Sequence, residues 1–273
     1  TAILSVIYAI LLAIALSFIR RETALTPARL WRALQDGSWG VLSVASTCAT
    51  AGIIVGVVTL TGLGLKFSMI ILDLAGGNLF LTVAYTAIAV WILGLAMPVT
   101  ASYIIAAVIT APAMIKLGIP NYAAHMFIFY YAVLSEVSPP TALSPFAAAA
   151  ITGGNPYKTT MMAWKYTLPT FLVPFMFTLH PDGVGLLLKG SWGNIAWTTV
   201  TAAAGLAALA AGLTGWLLMK TTWLERGLLV AAGLVLVYPS LLQDLIGLTL
   251  FALAAALQYL HWRSTPGRLS AAN

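Results

Sequence analysis

The sequence predicts an all-α membrane protein: a polytopic helix bundle with a re-entrant helical hairpin and a broken transmembrane helix. Of its 273 residues, 61% are apolar and only 7% are charged, and the mean hydropathy is +0.97. A soluble domain carries about a quarter of its residues as charged side chains, so most of this surface is expected to face lipid. Apolar runs of the length that spans a membrane recur along the chain. Two of the runs contain polar, proline-bearing breaks.

Charge and cysteine content exclude other classes of protein. The 13 basic residues outnumber the 7 acidic ones, but they lie singly or in pairs between apolar runs, without the basic stripe of a nucleic-acid-binding protein. We therefore expect no nucleic-acid partner. The single cysteine, Cys48, allows no internal disulfide, and its apolar setting favours packing. The chain opens at Thr1 inside an apolar run, with neither an initiator methionine nor a signal peptide, so we expect a fragment of a longer protein.

Three elements are predicted at the N-terminus. Ala2–Ile19 is long and apolar enough to span. Thr26–Asp36 begins with a threonine cap and a proline, and its charged face predicts a short interfacial helix along the lipid headgroups. Gly40–Leu60 is the second span, in which Cys48, Gly52 and Gly56 form a small-residue stripe that allows close helix packing.

Plain spans are predicted in the C-terminal part at Thr159–Leu179, Ile195–Leu218 and Leu224–Trp262. The last of these is long enough for two helices, and Tyr238-Pro239 divides it. A small-residue stripe favours close packing of the middle region, and this whole part is interpreted as scaffold. The stripe consists of Ala204, Ala208 and Gly212.

The middle of the chain contains two broken units. In the first, Leu79–Ala96 meets Met97-Pro98-Val99-Thr100, and a second apolar stretch follows to Leu117. In the second, Tyr122–Leu134 meets the polar run from Ser135 to Thr141 before the chain becomes apolar again. If these units cross the membrane an odd number of times, all but three basic residues lie in the cytoplasm, as the positive-inside rule requires. One unit therefore enters the membrane and returns to the same side, while the other unit crosses it. The charged residues do not decide which unit does which.

The breaks are the predicted functional site. A proline-bearing break at membrane depth frees backbone carbonyls and amides, which is costly unless they line a cavity or bind something. In transporters, broken helices hold Na⁺ with such carbonyls and direct helix N-termini at anionic substrates. A proline kink healed by neighbouring helices is the alternative. The predicted sodium- and substrate-binding residues are Ala96, Met97, Pro98, Val99, Thr100, Ser102, Glu136, Val137, Ser138, Pro139, Pro140 and Thr141, with Thr100, Ser138 and Thr141 as candidate Na⁺ ligands.

Few other ionisable residues lie inside apolar segments. Placing the Glu136 carboxylate at membrane depth costs roughly 2.5–3.5 kcal/mol. Glu136 is therefore expected to anchor the break or to pair with a cation, or else to face an aqueous vestibule. His125 is interpreted as a packed or water-facing residue and not as a proton carrier. Three acidic residues lie at predicted helix ends, where solvation or helix capping explains them. They are Asp73, Asp182 and Asp244. No zinc-protease, nucleophile-elbow or P-loop motif is present, so an enzyme is not predicted. A passive anchor subunit is a further alternative.

Several segments resemble the second half of the large membrane subunit of TRAP (tripartite ATP-independent periplasmic) transporters, and most of all the fused permeases. They are ATAGIIVGVVTLTGLGLK at 49–66, LGLAMPVTASYIIAAVITAP at 93–112 and HMFIFYYAVLSEVSPPTALSPFAAAAITGGNP at 125–156. WLERGLLVAAGLVLVYPSLLQDLIGL at 223–248 resembles a C-terminal extension of some fused permeases. The resemblance departs at Ala96, where related sequences often have a glycine, and the family's first repeat is absent, so the chain alone is not expected to transport.

The resemblance implies a sodium-driven secondary transporter of the elevator type in the bacterial inner membrane, with Na⁺ as the coupling ion and no other cofactor. Its implied partners are a periplasmic substrate-binding protein, a small membrane subunit, an organic acid and the lipid bilayer. Leu79–Leu117 would be the hairpin, with its tip at Ala96–Thr100. Tyr122–Gly153 would be the spanning helix, unwound at Glu136–Thr141, with sodium between the two tips. Thr26–Asp36 would match a horizontal arm helix.

Four segments are predicted on this basis. They are transmembrane helices with an arm helix (1–62), a transport-domain segment with the hairpin and the unwound helix (63–155), a transmembrane helix with an external loop (156–190) and a C-terminal transmembrane extension (191–273). The alternative is a sodium- or proton-coupled elevator carrier of another family.

Overall fold

The structure, a computed structural model, describes residues 2–20, 22–95, 97–140 and 142–264. Within these ranges every regular element is a helix, apart from an isolated bridge between Trp216 and Lys220. The α-helices are α1 (Ala2–Ser17), α2 (Pro27–Leu60), α3 (Leu63–Leu74), α4 (Leu79–Gly94), α5 (Val99–Lys116), α6 (Asn121–Ser135), α7 (Leu143–Thr152), α8 (Pro156–Thr167), α9 (Val173–Met176), α10 (Trp192–Thr214), α11 (Trp223–Val235) and α12 (Leu241–Ser264). The 3-10 helices Leu168–Leu172 and Pro181–Leu187 flank α9. The predicted all-α class is confirmed.

Three helices are long and apolar enough to cross a membrane, namely Val99–Lys116, Trp192–Thr214 and Leu241–His261. Cys48–Leu60 and Leu63–Leu74 meet at a 73° bend, and this bent pair would make a fourth crossing if it is one span. These counts cover the described ranges. Together with the composition, they define a multi-pass membrane protein.

The chain divides into two compact units, Thr1–Gly52 and Ile53–Asn273. In the first, the turn before α2 is held by Arg29, whose guanidinium donates to the carbonyls of Glu22 and Ala24 at 2.6 and 3.0 Å. Thr26 caps α2 through a 3.4 Å bond from the amide of Arg29, and Pro27 begins the helix, as predicted.

α2 corrects one prediction. The short helix expected to end at Asp36 and the span expected to begin at Gly40 are one continuous helix. The intervening residues, including Gly37, are helix-compatible, because a single glycine lowers helical stability by only about 1 kcal/mol and does not end a helix. Farther along, no described atom lies within 4 Å of a Cβ built at Gly52 or Gly56, so that small-residue stripe has no partner in the described chain.

The second unit is built around the two broken units. α4 and α5 are the two arms of the hairpin, joined by residues 95–98, while α6 and α7 are the halves of the broken helix. α4, α5 and α6 pack on one another around a buried apolar core. Its members include Val83, Val90, Ala106, Phe127 and Ile128. Both breaks lie where the sequence predicts them, except that Val99 and Thr100, which were assigned to the first break, belong to the first turn of α5.

The plain span predicted at Thr159–Leu179 is wrong. α8 ends at Thr167, and a 3-10 helix and the four-residue α9 replace its continuation. Pro169 and Pro174 fall in this stretch, and a proline lacks the amide hydrogen that a helix interior requires. The apolar composition of the segment favoured a continuous span, which the structure does not contain.

α10, α11 and α12 pack together in the C-terminal part. A Cβ at Gly212 would lie 2.7 Å from Cγ2 of Val230, and one at Gly233 would lie 2.3 Å from Cγ of Leu209. These glycines let α10 and α11 approach closely, as the predicted stripe indicated. Arg226 on α11 donates to the last carbonyls of α10, at 2.7 Å to Gly212 and 3.1 Å to Leu213.

Asp244 corrects a further prediction. It was expected to be solvated or to cap a helix, but it is only 2% exposed in the first turn of α12. Its Oδ2 accepts a 2.8 Å hydrogen bond from the indole of Trp197 on α10. A buried carboxylate needs such a donor, so Asp244 links two helices of the scaffold.

Candidate functional site

The first break leaves a helix start without a side-chain cap. α4 ends at Gly94, and the amide of Leu95 still bonds back to the carbonyls of Trp91 and Ile92, both at 3.2 Å. α5 begins at Val99 after Pro98, which provides no capping side chain. The first amides of a helix have no partner inside it, and no side chain of the described residues caps those at the start of α5. Predicted residue Ala96 lies outside the described residues.

The second break begins with tight turns. The amides of Glu136, Val137 and Ser138 each bond to the carbonyl three residues earlier, at 3.1 to 3.3 Å, so the end of α6 is closed by 3-10 geometry. The chain then leaves the helix at Pro139-Pro140, which is a cis bond, and α7 starts only at Leu143. Thr141 lies outside the described residues. Ala142, just before α7, has a φ of 29°.

The two breaks meet at one buried point. A Cβ built at Gly94 would lie 2.3 Å from the Oγ of Ser135, 2.6 Å from its Cβ and 3.5 Å from the Oγ of Ser102. Gly94 ends the first hairpin arm, Ser102 lies near the start of the second, and Ser135 ends the first half of the broken helix. Both serines are fully buried. Only a residue without a side chain fits between them, so glycine permits the close approach.

A hydrogen bond also joins the hairpin to the second break. The indole Nε1–H of Trp91 on α4 donates to the Oγ of Ser138 at 2.9 Å. The Ser138 hydroxyl itself donates to the carbonyl of Leu134 at 2.9 Å. One lone pair of this predicted Na⁺ ligand is therefore occupied, and no other described side chain uses the second.

The other hydroxyls divide into used and unused groups. Ser135 donates to the carbonyl of Ala132 at 2.7 Å. The Oγ of Ser102 is buried and has no hydrogen-bond partner in the described chain. Thr100 is exposed in the first turn of α5. Buried hydroxyls are almost always paired, which makes Ser102 the predicted residue whose surroundings most require a further ligand.

The remaining predicted residues surround this junction with different exposures. Met97, Val99, Val137 and Pro139 are half-buried, while Pro98 and Pro140 are exposed. Glu136 is half-buried, and no cationic side chain among the described residues lies within ion-pair distance of it. Its predicted role as an anchor or cation partner stays a prediction.

His125 lies between the two broken units but away from the breaks. Its Nδ1 is 3.1 Å from the hydroxyl of Tyr103 on α5, and the two rings pack edge to face. The contact with Tyr103 shows that His125 packs against a neighbouring helix.

Trp91, Gly94 and Ser135 were not among the predicted site residues. Gly94 and Ser135 stand at the last positions of their half-helices, next to the breaks, and this position is the signal in the sequence that identifies them. Trp91 lies one turn before the first break, and nothing in its local pattern indicates a bond to Ser138.

An all-helical multi-pass membrane protein with two adjoining interrupted helices has the architecture of a transport protein. The comparison with family models identifies which one: residues 1–182 match the model described as "Tripartite ATP-independent periplasmic transporter, DctM component". The chain belongs to this family and is a TRAP transporter large permease component, not an enzyme. All of the predicted site residues lie inside the matched part. No curated protein matches the chain, and no solved structure does.

Proposed function

We propose that the permease containing this chain is a symporter that couples Na⁺ entry to import of a small organic acid across the bacterial inner membrane. A periplasmic binding protein delivers the substrate, and a small membrane subunit completes the permease. The observation that carries the proposal is the junction of Gly94, Ser102 and Ser135, which places both helix breaks at one buried point.

The oxygen atoms at the junction support a sodium site. Na⁺ is a hard cation, and hydroxyl and carbonyl oxygens suit it, as they suit other hard cations. Among the described residues, none pairs with the buried hydroxyl of Ser102, and none uses the second lone pair of the Ser138 hydroxyl. The Leu134 carbonyl already accepts from the amide of Val137 and the hydroxyl of Ser138, so further backbone ligands are expected from the loop beyond α6.

The start of α5 supports an anion site beside the cation. Its uncapped amides give the helix a positive end, which favours a carboxylate. Thr100 is exposed in the same turn, and its hydroxyl can offer its oxygen to Na⁺ while it donates its proton to the carboxylate. The carbonyl of Pro98 accepts the first backbone hydrogen bond of the helix, from the amide of Ser102. Ser102, at the proposed sodium site, and the helix start, at the proposed anion site, therefore belong to one short segment. Sodium bound on one side of that segment would stabilise the substrate on the other.

The test is uptake of radiolabelled organic acids by cells that make the permease together with its binding protein. Uptake is expected to follow an imposed sodium gradient and to be insensitive to a proton gradient of the same size. Thr100→Ala and Ser138→Ala should raise the sodium concentration needed for half-maximal uptake. Uptake driven by the proton gradient alone would show a proton-coupled carrier, and sodium dependence that is unchanged in both variants would remove the two ligand assignments.

A further inference from the structure

Phe171 contacts both broken units. It lies in the 3-10 helix Leu168–Leu172, which follows α8. Its ring packs edge to face against Trp91 of the hairpin, with ring centroids 6.2 Å apart, and against Tyr131 of the broken helix, with ring centroids 5.9 Å apart. Trp91 and Tyr131 each lie about one turn before the last residue of their helices, α4 and α6. One residue outside the two units therefore touches each of them just before its break.

A hydrogen bond also joins Phe171 to the broken helix. The hydroxyl of Tyr131 donates to the carbonyl of Phe171 at 2.6 Å. Tyr131 is buried, and its ring also packs against Phe127 and Phe175. A buried tyrosine hydroxyl usually finds a hydrogen-bond partner, and here that partner is a backbone atom of another segment. Both ends of the Tyr131 side chain are therefore held in place.

Pro174 explains why the carbonyl of Phe171 is available. Each amide of a 3-10 helix bonds to the carbonyl three residues earlier. In this pattern residue 174 would donate to Phe171, but proline has no amide hydrogen. α9 does not use this carbonyl either, because its N-cap is Leu172, whose own carbonyl accepts the first bond of that helix. The interruption after α8 thus provides the acceptor that the Tyr131 hydroxyl occupies.

The contacts of Phe171 lead to the junction of the two breaks. Trp91 donates to the Oγ of Ser138, a predicted Na⁺ ligand on the second break. Ser135 lies one turn beyond Tyr131 on the same face of α6, at the point where the hairpin meets the broken helix. A site built from two separate helices binds best when other residues hold those helices in the geometry that the ligand needs. Phe171 contacts the residue in each helix that is placed to do this.

We propose that Phe171 is a positioning residue for the site at the junction, because its contacts with Trp91 and Tyr131 fix the two breaks relative to each other. The interrupted stretch 168–176 is then a third helix break that serves the site without providing a ligand. This inference rests on the proposed function. It goes further by giving a role to a segment that contains none of the predicted site residues.

Two variants test the hydrogen bond, in cells that make the permease together with its binding protein. Tyr131→Phe removes the donor, so it should lower the unfolding temperature of the purified protein. It should also raise the half-saturating sodium concentration for uptake up to about tenfold, the largest factor expected for one hydrogen bond. Adding Pro174→Ala restores an amide hydrogen that can bond to the Phe171 carbonyl. The double variant should recover the unfolding temperature but keep the raised sodium requirement, because the new bond does not reach α6.

The two measurements separate positioning from stability. If the double variant recovers both properties, the Tyr131 bond only stabilises the fold and the proposal is overturned. A wild-type sodium requirement in Tyr131→Phe would overturn it as well. Tyr130→Phe is the matched control, because the hydroxyl of this half-buried neighbour makes no hydrogen bond to a described residue. It should change neither property.

The ring contacts are tested separately. Phe171→Leu keeps the carbonyl but removes the ring that packs against Trp91 and Tyr131, so it should also raise the sodium requirement. The control is Phe129→Leu, which removes a ring that packs against Tyr103 and should leave the sodium requirement unchanged. Equal sodium requirements in these two variants would contradict the positioning role.

Failure of the proposed function would give a different result. Wild-type uptake that does not respond to sodium would contradict sodium coupling, and the same variants are then compared by the half-saturating concentration of the organic acid. A raised value in Tyr131→Phe and in the double variant, but not in Tyr130→Phe, would support the positioning role of Phe171. Equal values in all of these variants would overturn it.

Discussion

Replacing Gly94 by alanine tests whether the two breaks must touch. The added methyl carbon would lie 2.3 Å from the Oγ of Ser135 and 2.6 Å from its Cβ, well inside the 3.5–4.0 Å at which carbon atoms attract. The Ser135 side chain is short and fully buried, so it has no space to move into. The hairpin tip must therefore shift away from the broken helix. Overpacking of this kind costs about 1–3 kcal/mol.

Two measurements are expected to change in Gly94→Ala. The unfolding temperature of the purified protein should fall, and uptake should lose its response to sodium because the ligands on the two breaks separate. The double variant Gly94→Ala/Ser135→Gly removes the two atoms that the new methyl group would meet and should restore both properties in large part. Restoration in the double variant distinguishes the clash from a general effect of alanine.

Gly227→Ala is the matched control. Gly227 is on α11, and a Cβ there would meet no atom within 4 Å. Since alanine favours helix over glycine by about 0.5–1 kcal/mol, this variant should be as stable as the wild type or slightly more stable. If Gly94→Ala behaves like Gly227→Ala, or if Ser135→Gly gives no rescue, the contact between the two breaks is not required for function.

Three further outcomes are expected. Ser102→Ala should raise the half-saturating sodium concentration about tenfold, since an interaction of about 1.5 kcal/mol corresponds to a factor of ten. The control is Thr110→Ala, which removes a buried hydroxyl that is bonded within α5. It should not change the sodium dependence of uptake. Trp91→Phe should slow uptake up to about tenfold by removing a hydrogen bond worth about 0.5–1.5 kcal/mol, while Trp223→Phe at an 85% exposed position should leave uptake unchanged. Asp244→Ala should lower the free energy of unfolding by about 0.5–1.5 kcal/mol, the net worth of its hydrogen bond from Trp197, without moving the half-saturating sodium concentration. A changed sodium requirement would show that Asp244 is not only structural.

The positions of the breaks could be predicted because proline acts locally. Pro98 and Pro139-Pro140 interrupt apolar runs. In the structure α5 begins directly after Pro98, while α4 ends at Gly94 and α6 at Ser135, shortly before the prolines. A single proline does not always end a helix, since Pro112 lies inside α5. Pro169 and Pro174 together are the stronger signal, and they mark the interruption after α8. The apolar composition of 159–179 favours a continuous span, but its prolines prevent one.

Contacts between helices could not be predicted in the same way. The bond from Trp197 to Asp244 joins residues on α10 and α12, and the spacing of residues along one helix does not show which neighbour that helix will meet. The approach of Gly94 to Ser135 is of the same kind. Each residue has an ordinary local role at a helix end, and only the packing of α4 on α6 makes them a pair.

The candidate site and the C-terminal helices meet at Trp91. The described contacts at the junction are made by residues in the range 91–138, which is inside the part of the chain that matches the family. The close glycine contacts of α10 and α11 are made among those helices themselves. Trp91 belongs to both regions, because it bonds to Ser138 and also lines an apolar cavity of about 510 Å³ whose wall α10 and α11 complete. A substitution in the C-terminal helices that changes uptake while leaving the unfolding temperature unchanged should therefore act through the cavity wall, and its effect should be lost when Trp91 is replaced by phenylalanine.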